Sequence, residues 1–73
     1  MKVNKTQGVL YIFELLVEEG FIKKEDIMSE LEIAEVSFWR YIQELEAFII
    51  NFNLPYEIYY DRKDDIYRLN KNI

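Results

Sequence analysis

The clearest hydrophobic pattern in the chain runs from Ile33 to Ile50, IAEVSFWRYIQELEAFII. Apolar residues recur in it at spacings of three and four, which on a helix puts them on one face; they are Ala34, Phe38, Ile42, Leu45 and Ile49. The opposite face combines an aromatic and a basic residue with small and polar ones, namely Val36, Trp39, Arg40, Gln43 and Ala47. The pattern predicts a helix with one buried stripe and an outward surface.

Two helices are predicted before this one. The first starts at Thr6, the expected N-cap, and stops at Gly20, with residues 1–5 frayed. Its buried face is expected to hold Val9, Ile12, Phe13 and Leu16, and Gly8 is expected only to weaken its first turn. A second helix is predicted over Lys24–Leu31, after an extended Phe21–Ile22 link. A short helix followed by a longer one after a tight break is typical of a helix-turn-helix.

The C-terminal part changes from helical to alternating periodicity. Tyr56–Tyr60 and Ile66–Leu69 alternate and are rich in aromatic residues, and the polar Asp61–Asp65 between them is typical of a turn. Three helices and a two-stranded β-hairpin make an α+β winged helix, so we expect residues 1–73 to form one such domain. The tyrosines of the strands are expected in the sheet and core; they are Tyr59, Tyr60 and Tyr67.

Composition excludes several kinds of site. The 73 residues contain no Cys and no His, which removes disulfides, thiolate chemistry and the commonest general base and metal ligand. The carboxylates Asp61, Asp64 and Asp65 lack the spacing of a calcium loop, and the chain has no phosphate-binding glycine loop. No apolar run approaches the roughly 20 residues of a membrane span. We therefore expect a cytoplasmic protein that is not an enzyme and uses no cofactor or metal.

Particular residues in this order of elements resemble the winged helix-turn-helix domain that precedes WYL effector domains in DeoR-type bacterial regulators. The family has a set of apolar positions, matched here by Ile27, Met28, Leu31 and Ile33. Ser37 stands where the family has Thr, and its Arg-Asp-Ile-x-x-Leu run is matched by Arg40, Ile42 and Leu45. Its last strand is matched by Tyr67 and Leu69. The chain departs from the pattern at four positions. Ala34 replaces the family's capping Ser, and Tyr41 replaces the Asp of the run. Glu35 and Val36 stand at the two positions that usually approach DNA. The resemblance covers residues 8–69. It implies a dimeric DNA-binding regulator domain, with the third helix (about 35–50) in the major groove and the hairpin on the backbone.

Seven residues are therefore candidate DNA contacts: Val36, Ser37, Trp39, Arg40, Gln43, Arg62 and Lys63. Arg40 would clamp a phosphate or a guanine edge, or else pair with Glu44 one turn on. Trp39 would contact the DNA backbone, or else pack against the hairpin or a partner protein.

The remaining candidates have similar alternatives. Gln43 would read an adenine or be simply solvated, and Ser37 would contact a phosphate or bond locally to the helix start. Arg62 and Lys63 would touch the groove from the hairpin tip, or belong to a solvated turn. A mobile N-terminal arm with two further lysines, Lys2 and Lys5, is expected to add contacts.

The distribution of charge favours a second interpretation. The net charge of −5 lies entirely on residues 24–54, which contain two basic and seven acidic residues. DNA affinity depends on phosphate neutralisation by Lys and Arg, so an acidic helix-turn-helix weakens that hypothesis. The alternative is an acidic winged helix that binds protein instead, as an adaptor, antirepressor or small inhibitor. Its contact surface would consist of Val36, Trp39, Ala47 and Ile50.

Overall fold

Six elements make up the computed structural model, which describes residues 2–71. They are helix α1 (Lys5–Glu19), strand β1 (Phe21–Ile22), helix α2 (Lys24–Leu31), helix α3 (Glu35–Asn51), and strands β2 (Tyr56–Asp61) and β3 (Ile66–Lys71). The predicted α+β order of three helices and a hairpin is confirmed. The sheet, however, has three antiparallel strands in the order β1-β3-β2, because the Phe21–Ile22 link pairs with β3.

Helix α1 begins earlier than predicted because Asn4, not Thr6, is its N-cap. The Asn4 side chain accepts a hydrogen bond of 2.8 Å from the backbone N–H of Gln7. Lys5 is therefore a helical residue and not part of a mobile arm, and Val3 packs against the core. The prediction of frayed residues is wrong for positions 3–5, and Met1 lies outside the described residues.

The predicted stop of α1 at Gly20 is confirmed. Gly20 has a φ of 88°, in the left-handed region, and its N–H donates to the carbonyl of Leu16 at 2.9 Å. Only glycine adopts this conformation without a steric penalty, which is why the helix ends there.

The core lies between the three helices and one face of the sheet. The predicted stripe of α3 is confirmed at four positions, Phe38, Ile42, Leu45 and Ile49. It is wrong at Ala34, which is exposed and precedes α3 as an N-cap without a side-chain hydrogen bond. On α1, Ile12 and Leu16 are fully buried, whereas Val9 and Phe13 are half-buried. Burying each large aliphatic or aromatic side chain stabilises the fold by about 1.5–3 kcal/mol.

Helices α1 and α3 come into close contact at Gly8. Gly8 is buried, and a Cβ atom built on it would lie 2.6 Å from Cε2 of Tyr41. Carbon atoms in favourable contact are about 3.5–4.0 Å apart, so any side chain at this position would require the Tyr41 ring to shift. Tyr41 is 8% exposed, and its ring fills the space that the missing Gly8 side chain leaves.

Strand β3 is the centre of the sheet and connects the hairpin to the helices. Phe21 pairs with Arg68 and Ile22 with Tyr67 on one side, and β2 pairs along the other. The N–H of Leu69 also donates to the carbonyl of Gly20 at 2.9 Å. The hairpin is consequently fixed against the helical part, and β2 is an edge strand.

Candidate nucleic-acid interface

The outward surface of α3 is a stripe that we define as Val36, Arg40, Gln43 and Ala47. All four side chains are exposed, and their spacing of four, three and four puts them on one line along the helix. Every residue of α3 is described by the structure, and Arg40 is the ionisable group of this stripe. The stripe therefore presents a guanidinium and an amide between two small apolar side chains.

The three carboxylates of α3 lie beside the stripe and not on it. Glu35 Oε2 is 2.6 Å from Lys24 Nζ at the start of α2. On the other flank, Glu44 Oε2 is 3.6 Å from Lys5 Nζ of α1. Glu46 lines a cleft between α3 and β2. The three carboxylates of α3 thus lie on its flanks, and the other four acidic residues of 24–54 precede this helix.

Arg40 does not form the pair with Glu44 that the sequence allows. Within residues 2–71 no carboxylate lies in ion-pair distance of Arg40, and Glu44 is near Lys5 instead. The Arg40 guanidinium is exposed and available to a ligand.

Lys24 and Glu35 hold each other in the charged state. The hydrogen bond from Lys24 lowers the pKa of Glu35, and the same bond raises the pKa of Lys24. The Lys24 ammonium also lies 5.6 Å from the centroid of the Trp39 ring, within the range of a cation–π contact. Lys24 is therefore engaged by side chains of its own domain and is less available to a phosphate.

Trp39 packs against the hairpin, as one of its predicted alternatives proposed. Its ring is edge-on to Tyr67 at 5.6 Å between centroids and to Phe38 at 5.2 Å. Tyr60 continues this row, 5.1 Å from Tyr67. Trp39 is still 38% exposed, and with Gln43 and Glu46 it lines the cleft between α3 and the hairpin. Tyr59 and Tyr60 were predicted to lie in the sheet and the core. Both lie in the sheet, but their side chains are well exposed and do not belong to the core.

The hairpin tip is held by Arg68. Its Nε donates to Asp61 Oδ2 at 2.8 Å, and its Nη2 donates to Asp64 Oδ2 at 3.0 Å. Asp61 ends β2 and also accepts the backbone N–H of Lys63 at 3.0 Å, so the turn is one residue shorter than predicted. The arginine is the main reason that the pKa of Asp61 lies below its ordinary value. These aspartates have a structural role, and residues 2–71 contain no cluster of three or more side chains arranged to hold a metal.

The seven predicted DNA contacts fall into two groups. Arg62 and Lys63 are exposed at the hairpin tip, and within the described chain neither has an ion-pair partner. The other five belong to α3, where Ser37 is half-buried and its backbone N–H donates to Ala34 in the first turn. Of these five, Val36, Arg40 and Gln43 are on the outward stripe.

A second apolar surface lies between α1 and α3, and the ring centroid of its half-buried Phe13 is 5.9 Å from that of Tyr56 at the start of β2. We call it the α1–α3 patch and define it as Val9, Leu10, Phe13, Phe48 and Phe52. Leu10 is 60% and Phe52 is 68% exposed, and part of the patch is a shallow groove of about 280 Å³. This surface was not among the predicted sites, although the sequence signal exists. Leu10 and Phe48 are large apolar residues that fall outside the predicted buried stripes.

No protein-family model matches this chain, and neither a curated protein nor a solved structure matches it. The fold itself is a small α+β domain compatible with a winged helix. The resemblance to DeoR-type domains stays a prediction. None of the helices within residues 2–71 has the length and apolar character needed to span a membrane.

Proposed function

We propose that this domain binds double-stranded DNA as part of a transcriptional regulator. The outward stripe of α3 would enter the major groove, and Arg62 and Lys63 at the hairpin tip would contact the flanking backbone. The observation that carries the proposal is the composition of the stripe, in which Arg40 and Gln43 are exposed and no carboxylate intervenes. Guanidinium and amide groups on a helix are the usual readers of guanine and adenine edges in that groove.

The small number of available cations limits how strongly DNA is held. Arg40, Arg62 and Lys63 would neutralise about three phosphates, so the slope of log affinity against log salt should be about −2.7 per domain. Affinity should then fall about 40-fold between 50 and 200 mM salt. Binding to arbitrary sequences would be weak, and selection of a site would depend on base contacts and on a second copy.

The first test measures binding of the purified chain to a mixed-sequence duplex by fluorescence anisotropy at both salt concentrations. A preferred site would then be selected from a randomised duplex. Arg40→Ala should weaken binding to that site about 5- to 150-fold, corresponding to about 1–3 kcal/mol. Arg40→Lys would separate the two roles, because it retains a phosphate contact but loses the bidentate contact with guanine.

The matched control is Lys71→Ala, which removes the same charge at the end of β3, where Lys71 donates to the carbonyl of Val17. If both substitutions weakened binding equally, only net charge would matter and α3 would not be the reading helix. Absence of binding by the unmodified chain at 50 mM salt would overturn the proposal.

The cleft between α3 and β2 favours protein binding as a second candidate function. Its walls carry exposed apolar and aromatic side chains, and its charged groups are the carboxylates Glu46 and Glu57. Because β2 is an edge strand, an extended basic segment of another protein would pair with it and fill this cleft. The predicted protein-binding set is divided, since Trp39 and Ile50 line the cleft whereas Val36 and Ala47 lie on the stripe. Two results together would favour this function. The chain would not bind DNA, and it would bind a Lys- and Arg-rich peptide in a manner that Trp39→Ala abolishes.

A further inference from the structure

We propose that two copies of this chain associate through the α1–α3 patch to form a two-fold dimer. The inference rests on the proposed function only for its purpose, which is to present two α3 stripes to the two halves of a DNA site. Its evidence is the composition, the charge and the position of the patch.

The patch has the composition of the centre of a protein interface. The rings of Phe13 and Phe48 are 5.8 Å apart and those of Phe48 and Phe52 are 5.2 Å apart, which makes a continuous aromatic row. Leu10 lies on α1 beside this row and lines the same groove. Clustered exposed aromatic residues with few charges distinguish interface centres from ordinary surface.

The charges at the rim of the patch make it complementary to itself. Lys5 and Glu44 both line the groove, are more than half exposed and are 3.6 Å apart, so their pairing within one copy is weak. In a two-fold contact the same surface meets itself, and Lys5 of one copy can approach Glu44 of the other. The cleft between α3 and β2 lacks this property, because its charged groups are carboxylates and would repel their own copies. The charges at the rim therefore favour a second copy of the chain as the partner of the patch.

The position of the patch is compatible with DNA binding by such a dimer. Phe48 follows Ala47 directly, so it lies about 100° around the helix axis from the outward stripe. Trp39 and Ile50 lie on the other side of the stripe, next to the hairpin. A contact through the patch therefore leaves the outward stripe and the hairpin tip of each copy uncovered. Helix-turn-helix dimers need both reading helices uncovered to reach half-sites about 34 Å apart.

The test is sedimentation equilibrium of the full chain without DNA, over roughly 1–500 μM, which covers weak self-association. The unmodified chain should dimerise, and Leu10→Gln or Phe52→Gln should raise the dissociation constant at least tenfold. Ile50→Gln is the matched control, since Ile50 is 75% exposed but lies outside the patch. Circular dichroism would establish that each variant remains folded. Lys5→Glu should weaken the dimer, and the exchanged pair Lys5→Glu with Glu44→Lys should restore it.

Any of three results would overturn the inference. The chain would be a monomer throughout the concentration range, Ile50→Gln would weaken the dimer as much as Leu10→Gln, or the exchanged pair would fail to restore dimerisation. The measurement is independent of DNA binding. A dimer that fails to bind DNA would remove the proposed function alone, and a monomer that binds DNA would remove the dimer alone.

Discussion

The contact between Gly8 and Tyr41 sets the separation of α1 and α3. In an unobstructed helix, Gly→Ala stabilises by about 0.5–1 kcal/mol. Here the added methyl group would lie 2.6 Å from a ring atom of a buried tyrosine, and overpacking typically costs about 1–3 kcal/mol. The second effect is larger, so we expect Gly8→Ala to lower the free energy of unfolding by about 1–2 kcal/mol in urea denaturation.

Tyr41→Leu provides the partner variant for a double-mutant cycle. It removes the ring atoms nearest Gly8, and in its background Gly8→Ala should be neutral or stabilising. A gain in stability from Gly8→Ala in the unmodified chain would mean that α1 and α3 are not in close contact at this point.

The role of a single residue can be predicted from the sequence only where its residue type favours one structural role. Gly20 is a strong helix stop because it adopts a positive φ, and its role was predicted correctly. Asn4 and Thr6 are both capping residues, and the choice depends on which backbone N–H is within reach of the side chain. The roles of Gly8 and Tyr41 depend on a contact between distant parts of the chain, which periodicity does not reveal.

Among the elements, the β2–β3 hairpin depends on ionised aspartates at its tip. The pKa of Asp61 is lowered first by Arg68 and then by the backbone N–H groups of Asp64 and Lys63, against the opposing effect of desolvation. A carboxyl with a lower pKa in the folded state stabilises the fold above its unfolded pKa of about 3.9, and this stability is lost as the pH falls through the folded value. We expect the hairpin to loosen below about pH 4, as measured by NMR titration of the Asp61 carboxyl and by exchange of hairpin amides.

Arg68→Met tests the cause of this pH dependence. It should raise the pKa of Asp61 toward the ordinary value and increase amide exchange at the tip even at pH 7. Arg62→Met removes the same charge from the turn without breaking the bonds to Asp61, so it should leave the titration of Asp61 almost unchanged. Identical titration curves in both variants would argue that Arg68 does not hold the carboxylate.

Helices were easier to predict than the third strand. The bounds of α2 follow from its apolar spacing and from the acidic Glu25 and Asp26 in its first turn. Strand β1 has two residues, which is too short to show alternation, and it is defined only by its pairing with β3 some 45 residues later. The flanking positions of Glu35, Glu44 and Glu46 follow from helical spacing. The net charge of −5 on residues 24–54 therefore exceeds the acidity of the outward stripe, which carries no carboxylate.

For the molecule as a whole, the charge at the start of α3 should control affinity for DNA. Glu35→Gln removes a carboxylate beside the stripe and the 2.6 Å partner of Lys24, which retains the longer contact with Glu25 at 3.9 Å and the Trp39 ring. Affinity for duplex DNA at 50 mM salt should therefore rise several-fold. The salt slope should become steeper by about one unit, because one more cation reaches a phosphate.

Glu18→Gln is the control for total charge, since Glu18 is an exposed residue of α1. It changes the net charge of the domain by the same amount without releasing a lysine. An equal rise in affinity for both variants, with no change in slope, would show that Lys24 has no part in binding.

The central position of β3 also has a consequence for synthesis on the ribosome. Residues 66–71 supply the strand against which both β1 and β2 pair, and with them the buried side chains of Ile66 and Leu69. The three helices leave the exit tunnel before β3, with the apolar surface beneath the sheet still uncovered. Translation proceeds at about 5–20 residues per second. The interval between the emergence of α3 and that of β3 is therefore about a second or more, and during it the uncovered apolar surface can aggregate. The domain therefore completes its fold only after residue 71 has left the tunnel, and a chain that stalls before that point cannot form the sheet.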